Sequence, residues 1–283
     1  MQPHPNPRKT ADDLTLLPGR HKPAVTIIDR GAGRLYLKHT TIKDRVQLMH
    51  GDALLLLKTV DVVDAVITDP PYSSGGRTTS QRQAPTSSKY QSSDAKRIHP
   101  NFDGDAKDQR SWTNWCATWL TLARERTKQG GLIAVFSDWR QLPSLTDAVQ
   151  FAGWIWKGII AWDKVNARPV PHGFRAQCEY VVWGTNGDVP ADRKPTYHAG
   201  MFRQPIVSAK SRQHAAQKPV ELITSLVAAT PDGATILDPF AGSGTTGVAA
   251  LRSGRRFLGI ESNNQIFEQA LTRLAEIDEP RSA

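Results

Sequence analysis

Two short stretches of this chain carry residue types and spacings that can do chemistry. The first is Val66-Ile67-Thr68-Asp69-Pro70-Pro71-Tyr72. Asp69 precedes a proline, which pushes it toward an extended conformation. Pro70 and Pro71 have fixed φ and no N–H, so the Pro70 carbonyl is held in place without joining a helix. Tyr72 sets a flat ring beside them. An amine conjugated to an aromatic ring, as in adenine, is a poor nucleophile because its lone pair is delocalised. Two acceptors aimed at its two N–H groups favour a pyramidal nitrogen, and Asp69 with the Pro70 carbonyl has the chemistry for that task. Tyr72 can stack on the base and hold it for attack, and positioning of this kind supplies several kcal/mol. A base reaches such a pocket only by leaving the duplex stack. The plain alternative is a rigid strand-ending turn without chemical meaning.

The second stretch is Ile236-Leu237-Asp238-Pro239-Phe240-Ala241-Gly242-Ser243-Gly244-Thr245-Thr246-Gly247. It satisfies GxGxxG, follows an apolar run and opens a helical pattern. Glu261 ends the next apolar run, 19 residues after Gly242. That is the layout of a nucleoside pocket: glycines let ligand and backbone touch, and a carboxylate accepts from ribose hydroxyls. A nicotinamide or flavin cofactor fits this turn as well as any other nucleoside. No Gly-Lys-Ser/Thr follows, so it is not a nucleoside-triphosphate loop. A tight strand-to-helix turn with a surface glutamate is the bland reading.

The elements that must position these residues follow from periodicity. Val46–Met49 reads as a strand, Leu54–Lys58 as a helix after Gly51-Asp52, and Val62–Asp69 as a strand covered on both faces. Ser111 is placed as a helix N-cap, with Trp112, Trp115, Trp119 and Leu122 at helical spacing and Gly130-Gly131 as the stop. That tryptophan stripe reads as core packing rather than base stacking. Leu132–Phe136 is a strand, and a helix runs from Pro143 to Gly153. Trp154–Trp162 and Cys178–Gly184 are antiparallel strands. Pro219–Ala229 is a helix, Thr235–Phe240 a strand, Thr245–Arg252 a helix, Phe257–Glu261 a strand and Asn264–Ile277 an amphipathic helix. A short hairpin is expected at Val25–Ile28 and Arg34–Lys38. Alternating strands and helices predict an α/β fold. Residues 1–24 read as a disordered N-terminal arm and 25–283 as one domain. Within it, 73–110 form a polar loop insertion and 185–213 a small irregular segment.

Composition narrows the partners. The chain has 283 residues, a formal net charge of +9 and 39% apolar residues, so it can bury a core and favours an anionic partner, nucleic acid first. Cys116 and Cys178 form no CxxC, which argues against zinc and a disulfide framework. No metal is expected. The apolar runs are too short to span a bilayer and no targeting signal is visible, so the expected location is the cytoplasm.

Together these residues resemble the amino-methyltransferases of DNA, which transfer methyl from S-adenosylmethionine to adenine or cytosine amines. Val46-Gln-Leu-Met-His-Gly-Asp-Ala53 resembles the family's strand whose Asp, here Asp52, sits near the cofactor adenine. Trp162-Asp163-Lys164, Gly173-Phe174-Arg175 and Glu179-Tyr180 are similar to its late strand pair. His214-Ala-Ala-Gln-Lys-Pro-Val-Glu-Leu222 is similar to the segment that enters the cofactor pocket. With the catalytic turn first and the glycine signature last, the order resembles the class called β.

The resemblance implies a Rossmann-like fold: a mostly parallel seven-stranded sheet flanked by helices, with a C-terminal antiparallel strand pair. It implies S-adenosylmethionine as cofactor and DNA as partner. Asp69, Pro70, Pro71 and Tyr72 would be catalytic. Asp238, Phe240, Gly242, Gly244 and Thr245 would surround the methionine part, with Gln217 and Lys218 near its end. Glu261 would take the ribose and Asp52 the adenine. Asp rather than Ser at position 69 is similar to adenine-specific members. Residues 185–213 would recognise the target. Arg77, Arg82, Lys89, Lys96 and Arg97 of the insertion, with Arg175, would contact DNA. A homodimer, and either a restriction–modification or a solitary setting, stay open. So do three rivals: a cytosine-N4 enzyme, a nicotinamide-dependent oxidoreductase and a non-catalytic DNA-binding module.

Overall fold

The computed structural model describes residues 24–30, 33–42, 44–73, 107–167, 169–207 and 217–278. The chain runs β1 (Ala24–Arg30), β2 (Gly33–Ile42), β3 (Val46–His50), α1 (Ala53–Leu56), β4 (Val63–Thr68), α2 (Gln109–Glu125), β5 (Thr127–Ser137), α3 (Leu142–Phe151), β6 (Ile155–Asp163) and β7 (Cys178–Thr185). It continues through β8 (Met201–Arg203), α4 (Val220–Val227), β9 (Thr235–Asp238), α5 (Thr245–Arg252), β10 (Arg256–Glu261) and α6 (Asn264–Asp278).

All ten strands join one sheet in the order β1-β2-β3-β10-β9-β4-β5-β7-β6-β8. The expected seven are its centre, β3 to β6; the β1–β2 hairpin and β8 extend it at the two edges. The strands β3, β10, β9, β4 and β5 are mutually parallel. β7 pairs antiparallel with both β5 and β6. The antiparallel pair therefore lies in mid-chain, not at the C-terminus. The last strand, β10, is instead a parallel strand in the sheet interior, because the glycine signature comes late in the chain.

Near-continuous apolar runs make β4 and β5 buried on both faces, as parallel strands require. On one face Met49, Val66, Ile133, Val135 and Leu237 pack against α1, α2 and α3. On the other, Leu48, Ala65, Ile67, Ala134 and Ile236 pack against α4, α5 and α6. Trp112 and Trp119 are fully buried in the first layer, so the tryptophan stripe is core.

Some boundaries move. Asp108, not Ser111, caps α2, accepting from the backbone N–H groups of Arg110 and Ser111 at 3.0 Å. Gly130 and Gly131 lie inside β5 rather than stopping the helix, which ends at Arg126. A Cβ on Gly131 would sit 2.7 Å from the Asp64 carbonyl, and the β4–β5 register shifts between Val63 and Ala65. These glycines serve a bulge and a close backbone approach. The expected arm falls on residues outside those described, except Ala24, which opens β1. Most of the 73–110 insertion also lies outside them.

Candidate active site

The parallel strands end on one edge of the sheet, and both motifs sit on that edge. β9 leads on to β10 in one direction and β4 leads on to β5 in the other, so the strand order reverses between β9 and β4. Open α/β sheets bind ligands in the crevice at such a switch point. The Asp69 turn follows β4 and the Gly242 turn follows β9, and the two strands are hydrogen-bonded neighbours. Thr68 Oγ1 donates to Asp238 Oδ1 at 2.6 Å across the crevice.

The Asp69–Tyr72 turn is braced from behind. Trp112 Nε1 donates to the Pro71 carbonyl at 2.7 Å and Gln141 Nε2 to the Tyr72 carbonyl at 2.9 Å. Pro70 is buried, and its carbonyl accepts no hydrogen bond among the described residues. The Asp69 carboxylate receives the Tyr72 hydroxyl on Oδ1 at 2.6 Å and the Lys218 ammonium on Oδ2 at 2.6 Å. Lys218 also lies 3.4 Å from Glu179 Oε2, and Lys164 Nζ lies 3.2 Å from Glu179 Oε1. Burial raises the Asp69 pKa, against the pull of Lys218. Burial and the Asp69 charge raise that of the Tyr72 hydroxyl far above its usual value. Burial opposes ionisation of Glu179, but Lys218 and Lys164 outweigh it and hold the carboxyl below its ordinary range. Lys218 is likewise penalised by burial and kept charged by Asp69 and Glu179.

The cofactor half is built differently. Glu261 Oε2 accepts from the Gly242 N–H at 3.0 Å and Oε1 from the Asn263 N–H at 2.8 Å. No cation pairs with Glu261 among the described residues, and burial pushes its carboxyl up to about 7. Asp238 accepts from Thr68 and from the Phe240 N–H at 3.0 Å, and burial raises it to about 6. Gly242 and Gly244 have φ of 51° and 78°, a left-handed region that glycine enters without a Cβ penalty. Arg273 of α6 supports the turn from outside, donating to the Ser243 carbonyl at 3.0 Å and the Thr245 hydroxyl at 3.1 Å. Phe240 packs against Trp115 and Trp119. Asp52 is exposed at the N-terminus of α1, where it accepts from Leu54 N–H at 2.7 Å. It stands two residues beyond His50, whose register partner is Glu261.

Thus Asp69 to Tyr72, Lys218, Asp238, Phe240, Gly242, Gly244, Thr245, Glu261 and Asp52 come together at this edge. Gln217, half-buried, adjoins Lys218. Lys218 itself sits on the Asp69 carboxylate. Arg175 is exposed on the β6–β7 connection. Arg77, Arg82, Lys89, Lys96 and Arg97 lie outside the described residues. Sequence reasoning assigned no role to Glu179, Lys164 or Gln141. The signal for Glu179 was present: a carboxylate opening an apolar strand needs a partner.

A Rossmann-like sheet with a glycine turn and a carboxylate-bearing turn on one edge, at a switch point, defines an α/β protein of the nucleoside-binding kind. The family model described as DNA methylase, that of the N6/N4 methyltransferases, matches residues 63–272. The chain belongs to this DNA methyltransferase family, and its cofactor is S-adenosylmethionine. It is similar to the Type II methyltransferase M2.DpnII of Streptococcus pneumoniae, 29% identical over 265 residues, with 86% of this chain and 94% of that protein covered. Its fold is similar to the crystal structure of the M1.HpyAVI–SAM complex, with a TM-score of 0.59, 22% identity and coverage of 81% and 98%. The cytosine-N4-specific PvuII DNA methyltransferase shares the fold with a TM-score of 0.57, 15% identity and coverage of 82% and 91%. Family membership leaves the nicotinamide reading without support. No helix among the described residues is long and apolar enough to cross a membrane.

The residues present fit this cofactor. Glu261 is a buried acid with spare lone pairs and no cation, so hydroxyl donors of a ribose would satisfy it.

Proposed function

We propose that the chain methylates the N6 amine of adenine in DNA, the base being flipped into the crevice beside Asp69. The observation that carries this reading is the Asp69 carboxylate beside the Pro70 carbonyl, which accepts no hydrogen bond among the described residues, at the switch point. One N–H of the amine donates to Asp69 and the other to Pro70, which localises the lone pair on nitrogen. Tyr72 stacks on the base. Bound S-adenosylmethionine supplies an electrophilic methyl group on a sulfonium. Asp69 stays within reach of the proton that the alkylated nitrogen sheds.

In this reading Glu261 takes the ribose hydroxyls and Asp52 the cofactor adenine. Asp238, Phe240, Gly242, Gly244 and Thr245 shape the methionine end, with Gln217 beside it. Residues 185–213, Arg175 and the basic side chains of 77–97 contact DNA in the cytoplasm of the host. Asp at position 69 supports adenine. The same acceptors serve a cytosine N4 amine, so the fold shared with the PvuII enzyme keeps that base as the second reading. Unmethylated genomic DNA treated with the protein and S-adenosylmethionine, then digested to nucleosides, should contain N6-methyladenine. N4-methylcytosine alone would reverse the base assignment.

A further inference from the structure

The carboxylate that must receive the target amine is already engaged. Asp69 Oδ1 holds the Tyr72 hydroxyl and Oδ2 the Lys218 ammonium, each at 2.6 Å. An ammonium there neutralises the acceptor and opposes the positive charge that grows on the amine nitrogen as it is alkylated. The same two donors face a second carboxylate. Lys218 Nζ is 3.4 Å and the Tyr72 hydroxyl 3.5 Å from Glu179 Oε2. Glu179 is fixed by Lys164 on its other oxygen. The backbone of the turn is tied to Trp112 and Gln141, so relief has to come from side-chain movement rather than from the loop.

We propose that Lys218 and the Tyr72 hydroxyl are shared donors that pass from Asp69 to Glu179 when the target base enters, making Glu179 a positioning residue of methyl transfer. This rests on the reading of Asp69 as the amine acceptor. Two lysines and two carboxylates keep the net charge of the cluster unchanged in either arrangement, and the N–H of the incoming amine replaces the donors that Asp69 gives up. Among the described residues the charged groups that bear on Asp69 and its partner Tyr72 are Lys218, Glu179, Asp238 and Asp138, with Lys164 acting through Glu179.

The test is a double-mutant cycle with Glu179→Gln and Lys218→Met on unmethylated genomic DNA with labelled S-adenosylmethionine. Glu179→Gln leaves Lys218 fixed on Asp69, so kcat should fall about 30-fold while cofactor affinity by calorimetry changes less than about threefold. Lys218→Met frees Asp69 but removes the cation that favours its ionised form. Its kcat should fall about fivefold at pH 9, and the acidic limb of its pH–rate profile should move to higher pH. A carbon-13 titration of the Asp69 carboxyl, without DNA or cofactor, should show the same upward shift. The double variant should be no slower than Lys218→Met alone. Should Glu179→Gln not fold, Glu179→Asp withdraws the carboxylate from Lys218 and carries the same expectation. Multiplicative losses in the cycle, or an undiminished kcat in the Glu179 variant, would overturn the inference. A wild-type protein that methylates no DNA would instead remove the reading on which it rests.

Discussion

The two halves of the crevice hold their carboxylates by different means. Glu261 and Asp238 are held by neighbouring backbone N–H groups and a hydroxyl, without a cation, and burial drives both pKa values upward. Asp69 and Glu179 are held by side chains, the Lys218 and Lys164 ammonium groups and the Tyr72 hydroxyl. Backbone dipoles hold the first pair in one setting. In the proposed mechanism the ions of the second pair change partners when the base enters. The contrast teaches that carboxylates in one crevice can be held with or without a cation, and that burial then raises the pKa of the cation-free pair furthest.

The sharpest way to break the contrast is Asp69→Ala. Turnover should drop about 1,000-fold in a methyl-transfer assay, with S-adenosylmethionine affinity within about threefold of wild type. A comparable loss of cofactor binding would mean the halves are not separate. Glu261→Gln should do the reverse, weakening the cofactor about tenfold by calorimetry, which corresponds to about 1.4 kcal/mol, with DNA affinity unchanged.

Titration offers a third test. The folded Glu261 carboxyl lies near 7 and its ordinary value is 4.5. The native state therefore binds more protons than the unfolded chain between those values, and stability of the cofactor-free protein falls as pH rises through that window. Ribose hydroxyls favour the ionised form, so binding at pH 6.5 should release protons. Calorimetry in two buffers of different ionisation enthalpy measures that release, and Glu261→Gln should abolish it. Gly244→Ala, at φ of 78°, should cost roughly 1–2 kcal/mol in denaturant unfolding. The smallest effect concerns neither half. Neutralising Arg77, Arg82 and Lys89 should reduce the salt dependence of DNA binding, and an unchanged slope would remove that loop from the DNA contact.

The glycine turn was legible because its information is local. Gly242, Gly244 and Glu261 announce a turn, a close approach and an acid at fixed spacing, although the Thr68 hydroxyl reaches Asp238 from 170 residues away. The Asp69–Tyr72 turn is likewise a local unit. What surrounds it was not, because Lys218 meets Asp69 across 149 residues and Tyr72 meets Glu179 across 107. No periodicity encodes such a meeting. The helix stop placed at Gly130-Gly131 failed for a related reason: a glycine pair signals backbone need, and only the neighbouring strand shows that the need is a bulge. The β1–β2 hairpin was legible from its glycine turn and joins the sheet at one edge, while the short β8 at the other edge, three residues in a polar segment, gave no pattern to read.

The position of β10 bears on how the polypeptide matures. It is made after β3 and β9, yet it wedges between them. Until it arrives, those two strands present open hydrogen-bonding rims, the kind of surface on which nascent chains stick to one another. Glu261 also rides on that strand. A ribosome that stalls after α5 would therefore release an adhesive fragment that lacks Glu261, rather than a weaker version of the enzyme.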